Sequence, residues 1–263
     1  MNNTTLHLLN RLAQMQKTTF TSAEAAEIME KSPQATSNLL TRLARQGLVA
    51  RVTRGIYMTR APGLYGTSPV SENVLIATRA ALGNTPHRVS FRSALSFHGV
   101  LTHPSRRIDV ASPKRIQMSS IAGWPLDAVF EYESTLAVGA LPSHDGLSSV
   151  STIERALLES TRSVERVGGV DVVADALDSL GGNIDVEEVR RLAKVLRLTA
   201  ALQRLASIAH RVGYQNMAKE LLGSDRFRRV VTIESGGTDP GEYTDTSARV
   251  AWSTAALDQV PAG

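Results

Sequence analysis

The sequence predicts an α+β fold in two parts, a small N-terminal unit followed by a larger mixed α/β domain. Three observations predict it. Up to residue 60, segments of helical periodicity give way to a short strand–turn–strand pattern. The stretch APGLYGTSP, Ala61 to Pro69, then sets two prolines and two glycines in nine residues, the composition of a linker. Finally, charge divides along the chain: residues 1–60 carry 8 Lys/Arg against 3 Asp/Glu, residues 61–130 carry 7 against 3, and residues 131–263 carry 14 against 19. A basic front half suits a polyanion, and an acidic rear half does not.

Bulk properties narrow the class. With 263 residues and 42% hydrophobic content, the chain is long enough for one large or two modest globular domains. The absence of cysteine excludes disulfides and thiolate metal sites, and fits a reducing compartment. No stretch has the length of an apolar membrane span, and the polar start MNNTT is unlike a signal peptide. The expectation is a cytoplasmic protein that makes no membrane contact.

Leu6, Leu9, Leu12 and Ala13 predict a first helix over about residues 4–16. TTF follows as a short strand. TSAEAAEIME opens with a capping box, Thr21 with Glu24 three residues on, and predicts a second helix. The third is SPQATSNLLTRLARQG. Ser32 suits its N-cap, Pro33 its first turn and Gly47 its end. At about 100° per residue, Thr36, Leu39, Leu40 and Leu43 share one face, while Gln34, Ser37, Asn38, Thr41, Arg42 and Arg45 fall on or near the other. LVARVTRGIYMTR reads as strand, tight turn at Arg54–Gly55, strand.

Helix, strand, helix, helix, hairpin is the order of a winged helix-turn-helix, expected over residues 1–60. NLLTRLARQGLVARVTRGIYM resembles the recognition helix and wing of many bacterial repressors. The resemblance implies that the polar front of the third helix reads base edges in the major groove, with Arg51, Arg54 and Arg60 on the wing at phosphates or the minor groove. Gln34, Ser37, Asn38, Thr41, Arg42, Arg45, Arg51 and Arg54 are the candidate DNA-binding residues. A winged helix used for protein docking, with a solvated third helix, is the competing reading.

Residues 61–69 are the expected linker, and the larger domain is expected over 70–263. Ser71 suits the cap of a helix ending near Leu82. A strand at Arg88–Ser90 leads into a helix closed by Gly99, and RRIDVASP and DAVFEYES read as strands. STIERALLES opens with a second box, Ser151 with Glu154, and turns Ile153, Ala156, Leu157 and Leu158 inward. Helices are expected over about 170–180, 185–197 and 199–222. RRVVTIES and ARVAWSTAAL read as strands on either side of a flexible loop at about 235–248.

VSFRSALSFHGVLTH, then a strand containing IDV, then STIERALLE, is similar to the AbiEi-type antitoxins and related regulators. Ser93, Ala94, Leu95, His98 and Gly99 match the first family element; Glu154, Arg155, Leu157 and Leu158 match the second. Two positions depart from the pattern: Glu159 stands where aspartate is usual, and Arg88 where an aromatic is common. The resemblance implies an antitoxin of a type IV toxin–antitoxin pair. It would repress its own operon by binding the upstream double-stranded operator, and would counteract a nucleotidyltransferase-like toxin encoded beside it. Direct contact with the toxin is left open, and a homodimer is compatible. The alternative is a winged-helix regulator whose C-terminal domain senses a ligand or dimerises.

No catalytic, metal or cofactor site is expected. His98 and His103 have no third ligand at suitable spacing, and a histidine before a helix-closing glycine suits bonding to late helical carbonyls. Asp109, Glu131 and Glu133 hint at a metal-dependent nuclease, but Ser134 and Thr135 stand where a catalytic lysine would follow. RVGGVDVV and SLGGNID read as helix breaks rather than phosphate loops. Arg155 suits pairing with Asp109 or a strand carboxylate, with an anion contact as the alternative. Arg106, Arg107, Lys114 and Arg115 form either an extension of the nucleic-acid surface or an exposed edge.

Overall fold

The computed structural model describes residues 3–60, 74–143, 146–234 and 243–260. The expected linker and the Ser71 cap lie outside these residues. The first unit follows the expected order: α1 (Asn3–Gln14), β1 (Thr19–Thr21), α2 (Ser22–Met29), α3 (Pro33–Arg45), β2 (Val49–Thr53) and β3 (Ile56–Thr59). The Thr21 box forms as read: the Thr21 hydroxyl accepts from the Glu24 amide at 3.1 Å, and the Glu24 carboxylate accepts from the Thr21 amide at 2.7 Å. The three strands are antiparallel in the order β1-β3-β2, with Phe20 opposite Tyr57 and the two rings stacked at 5.9 Å. Leu8, Leu12, Leu40, Leu43 and Val49 complete a dry core beneath them.

The hairpin has a second apolar face. Tyr57 points into the small core, whereas its neighbour Met58 and the preceding strand's Val52 belong to the core of the larger domain. Alternation along a strand allows one hairpin to serve two cores. The Ala122 amide also donates to the Val52 carbonyl at 2.7 Å, tying the hairpin's outer edge to the larger domain. The apolar clusters on either side of the linker therefore meet at β2 and β3.

The larger domain begins with α4 (Val74–Leu82), β4 (Arg88–Val89), α5 (Phe91–Phe97), β5 (Ile108–Ser112), β6 (Ser120–Ile121), β7 (Trp124–Phe130), α6 (Glu133–Leu136), β8 (Ala140–Leu141), β9 (Val150–Ser151) and α7 (Ile153–Arg162). Its strands form one mixed sheet in the order β6-β7-β5-β4-β9-β8, with β5–β7 and β4–β9 parallel. A helical layer follows: α8 (Val164–Val167), α9 (Val170–Leu180), α10 (Val186–Val195), α11 (Thr199–Arg211) and α12 (Gln215–Leu222). The chain closes with β10 (Val231–Thr232), β11 (Tyr243–Asp245), β12 (Val250–Trp252) and α13 (Thr254–Gln259).

Four expectations change. The helix expected over 199–222 is two helices, broken where Gly213 takes φ +93°. The strand read in DAVFEYES stops at Phe130, and Glu133–Leu136 turns helical. Residues 243–248 belong to no flexible loop: β11 pairs with β12, and the Asp245 carboxylate accepts from the amides of Ser247 and Ala248, both at 3.0 Å. The cap of α7 is Thr152, whose hydroxyl accepts from the Arg155 amide at 3.4 Å. Ser151 does not cap because its hydroxyl is used elsewhere, accepting from Arg88 Nε and donating to Glu159 Oε2, each at 2.9 Å.

That serine sits in a buried charge network. Arg88 pairs with Glu131 at 2.8 Å and with Glu159; Arg155 pairs with Glu159 at 2.9 Å and with Glu131. Two arginines and two glutamates thus balance between β4, the end of β7, and α7. Burial pushes the Glu131 carboxyl upward, but the charges of Arg88 and Arg155 outweigh it and hold the group below its ordinary value. Arg155 therefore meets the carboxylate at the end of a strand, and not Asp109. Removing one partner leaves a buried charge uncompensated, which costs about 3–5 kcal/mol. Glu159→Ala is expected to lose that much stability in urea unfolding, with the exposed control Glu133→Ala close to wild type. Equal midpoints for the two variants would contradict the network's structural weight.

Candidate nucleic-acid interface

The third helix is assembled by its ends and its back. The Ser32 hydroxyl accepts from the Ala35 amide at 3.4 Å, Pro33 occupies the first turn, and Gly47 takes φ +66° beyond the last turn. Thr36, Leu39, Leu40 and Leu43 are buried, as the spacing predicts. Glu30, in the left-handed conformation at φ +51°, closes α2 and lets α3 begin almost at once.

Gln34, Ser37, Asn38, Thr41, Arg42 and Arg45 are all exposed on α3, and Arg51 and Arg54 are exposed on the hairpin. Two of these contacts are internal. Gln34 Nε2 donates to Asn38 Oδ1 at 3.3 Å, one turn on, which orients both amides. The Thr41 hydroxyl donates to the Ser37 carbonyl at 2.9 Å, so its proton is already committed and it faces outward as an acceptor. Arg42, Arg45, Arg51 and Arg54 have no carboxylate partner among the described residues. Arg54 precedes Gly55, whose φ of +77° makes the turn, and a register shift between Arg51 and Thr53 bends the strand beside it. Arg60 is the exception to the expected wing. It is buried, so it does not stand on the wing surface.

Glu24 is held apart from this face by its own bonds. Its carboxylate is drawn to Lys17 first and to Thr21 next, both of which lower its pKa. The cations of α3 and the hairpin remain available to an external anion.

In the larger domain, the groups weighed for chemistry have structural partners. His98 Nε2 lies 2.7 Å from the Ser151 carbonyl, so the ring bonds strand β9 and not the helical carbonyls expected. Ser93 and Asp109 lock α5 to β5: the Ser93 hydroxyl lies 3.1 Å from the Asp109 carboxylate, and the Asp109 amide donates to that hydroxyl at 2.8 Å. Asp109 also pairs with Arg107 at 2.8 Å. Glu131 belongs to the network described above, and Glu133 is exposed. Among the described residues, no group of three His, Asp or Glu is placed to hold a metal. Arg106, Lys114, Arg115 and His103 are exposed, while Arg107 is tied to Asp109 and to the Arg166 carbonyl. The paired glycines act as helix breaks: Gly168 and Gly169 separate α8 from α9, and Gly181 and Gly182 follow α9.

Sequence reasoning missed the roles of Ser151 and Glu159. The available signal was Arg88 itself, a charged residue in an apolar strand context that needs a buried counter-ion.

Two family models match this architecture. Residues 7–59 match the transcriptional regulator, AbiEi antitoxin model, and residues 88–210 match the AbiEi antitoxin C-terminal domain model. The chain belongs to the AbiEi-type antitoxins, which are regulators and antitoxins rather than an enzyme family. Among solved structures, the chain is similar to the crystal structure of the RV2827C protein from Mycobacterium tuberculosis. The TM-score is 0.68 at 16% identity, over 96% of this chain and 92% of that one. That likeness concerns the fold. No curated protein sequence matches the chain. No helix among the described residues is long and apolar enough to cross a membrane.

Asp109 gives the larger domain a pH signature. Burial pushes its carboxyl up to about 6 from an ordinary 3.8, against the pull of Arg107 and the bonds from Ser93. Between those values the folded protein keeps a proton that the unfolded chain has released. This contribution is therefore full below about pH 4 and is lost as pH rises through about 6, an effect on the order of 2–3 kcal/mol. Relative to Asp109→Asn, wild type is expected to be more stable at pH 5 than at pH 7.5 in matched denaturant titrations. A stability difference that stays constant over that range would contradict the assignment.

Proposed function

We propose that this chain is both the antitoxin and the transcriptional autorepressor of a type IV toxin–antitoxin operon, acting in the cytoplasm against a nucleotidyltransferase-like toxin encoded beside it, and that it has no catalytic activity of its own. The observation that carries the DNA-binding half is the exposed front of α3. Gln34, Ser37, Asn38, Thr41, Arg42 and Arg45 stand on it without carboxylate partners, backed by a leucine face that fixes the helix.

On this reading α3 lies in the major groove of the operator. At 13 residues it is about 20 Å long, and a groove about 12 Å wide admits it. Arg42 and Arg45 are suited to bidentate contacts with guanine, and the Gln34–Asn38 pair to adenine. Arg51 and Arg54 hold phosphates and set the register. Family membership supports the antitoxin half. The acidic balance of residues 131–263 supports a division of labour in which the rear of the larger domain faces a partner other than DNA.

A ligand-sensing regulator is the second reading. It draws on a cavity of about 480 Å³ between the two units, lined by Phe20, Thr21, Ile56, Ile76 and Ala80.

Titration of the upstream region by fluorescence anisotropy tests the DNA face. Alanine at Arg42 or Arg45 is expected to cost about 1–3 kcal/mol and to relax specificity. Alanine at Arg51 or Arg54 is expected to weaken all sequences alike and to reduce the salt slope by about 1 each. Undiminished, sequence-specific binding by the Arg42→Ala/Arg45→Ala double variant would overturn the assignment.

A further inference from the structure

The two most exposed large apolar side chains in the described structure stand side by side. Phe130, at the end of β7, is 66% exposed, and Tyr132, just before α6, is 70% exposed; their rings meet edge to face at 5.1 Å. They rim a cavity of about 350 Å³ that Leu196 and Leu198, at the α10–α11 junction, also line. Arg162, the last residue of α7, and Arg197 complete the rim, and both are exposed.

Floor and rim differ in charge. On the floor, Glu131, Arg155 and Glu159 balance one another and Arg88. On the rim, the guanidinium groups of Arg162 and Arg197 have no partner among the described residues. Two unpaired cations above a neutral floor leave the mouth of the cavity positive. Backbone strain collects at the same place. Arg197 takes φ +55° at a position after a helix where glycine is usual, and Phe91, also in the lining, takes φ +50°. Bulky side chains avoid this region, and strain of this kind is characteristic of residues that clamp a ligand.

We infer that this cavity binds a free nucleoside 5′-phosphate, with its base against Phe130 and Tyr132 and its phosphate on Arg162 and Arg197. Exposed aromatic rings stack on the flat face of any base, and the two leucines extend that apolar surface. Guanidinium groups present paired donors that match phosphate oxygens. The floor supplies what a base edge needs. Glu131 keeps 16% of its side chain exposed, and its oxygens retain lone pairs beyond the bonds from Arg88 and Arg155, so they can accept from a base N–H. Size limits the ligand to one nucleotide, because the cavity lies near the lower end of the range of about 300–1,000 Å³ usual for small-ligand sites. Charge limits it too. Two arginines offset one phosphate, whereas a longer strand would run on past exposed Glu133 in a region of 19 acidic against 14 basic residues. The inference stands on this cavity alone and does not depend on the antitoxin reading.

The experiment titrates the full chain by calorimetry with the 5′-monophosphates of adenosine, guanosine, cytidine and uridine. Parallel titrations use the four nucleosides, inorganic phosphate and a short single-stranded RNA. At least one nucleotide is expected to bind one-to-one with Kd below about 1 mM, and its nucleoside and inorganic phosphate each to bind at least about tenfold more weakly, since each keeps only half of the contacts. Tyr132→Ala, Arg162→Gln and Arg197→Gly are each expected to weaken nucleotide binding by about tenfold. The last removes the guanidinium while relieving the backbone, so its loss of binding is not a loss of fold. Arg115→Gln, an exposed cation away from the cavity, is expected to bind like wild type. Circular dichroism and the urea midpoint show that each variant is folded. No saturable binding of any nucleotide overturns the site, and so does binding that folded Tyr132→Ala and Arg197→Gly retain in full. Inorganic phosphate that binds as tightly as the nucleotide overturns the base contact. RNA that binds more tightly than every mononucleotide, and is lost in the same variants, assigns the cavity to a strand and overturns the free nucleotide as its occupant.

Discussion

The hairpin β2–β3 is the constraint on which the arrangement depends. Its residues alternate between two cores, with Val49 and Tyr57 closing the winged helix and Val52 and Met58 sealed into the larger domain. Burying a side chain of that size contributes roughly 1.5–3 kcal/mol. Separating the units would expose Val52 and Met58 and break the Ala122–Val52 bond. The third helix is thus joined to a sheet whose rear face belongs to the core of the larger domain. Arg51 and Arg54 stand on the same hairpin, so the position of the wing is set by both cores.

A second constraint lies within the larger domain. The residues that carry the family resemblance are largely structural: Ser93 holds Asp109, His98 reaches the Ser151 carbonyl, and Arg155 balances Glu131 and Glu159. The two departures from the family pattern meet in space, because Arg88 pairs with Glu159. A guanidinium in place of an aromatic needs a buried carboxylate, and glutamate at residue 159 supplies it. This pairing also occupies the Ser151 hydroxyl and leaves the capping of α7 to Thr152.

Local chemistry was legible in the sequence. The Thr21 box, the Ser32 cap and the four-residue dry face of α3 depend on spacing within one or two turns, and each forms as read. The front of α3 follows from its back, so the exposure of its candidate residues was legible too. Non-local pairing was not. Arg60 reads as a wing cation by position but is buried, and the Ser151–Glu154 spacing mimics a capping box that the charge network overrides. The break at Gly213 was visible as a glycine, but helical periodicity on either side concealed it. β11 lies in a polar, glycine-rich stretch and becomes a strand only because β12 pairs with it. The cavity beside Phe130 and Tyr132 draws on residues from the end of β7, α7 and the α10–α11 junction, and no sequence window contains them.

The central claim is that the hairpin joins the winged helix and the larger domain into one cooperative unit. Hydrogen exchange read by mass spectrometry in rising denaturant tests it most directly. The slowest amides of α3 and β3 are expected to exchange with the same free energy and denaturant dependence as those of α7 and α11, and Met58→Ala is expected to lower all of them together. If α3 and β3 instead open at a lower free energy of their own, and Met58→Ala leaves α7 and α11 unchanged, the two units are independent and the account is wrong.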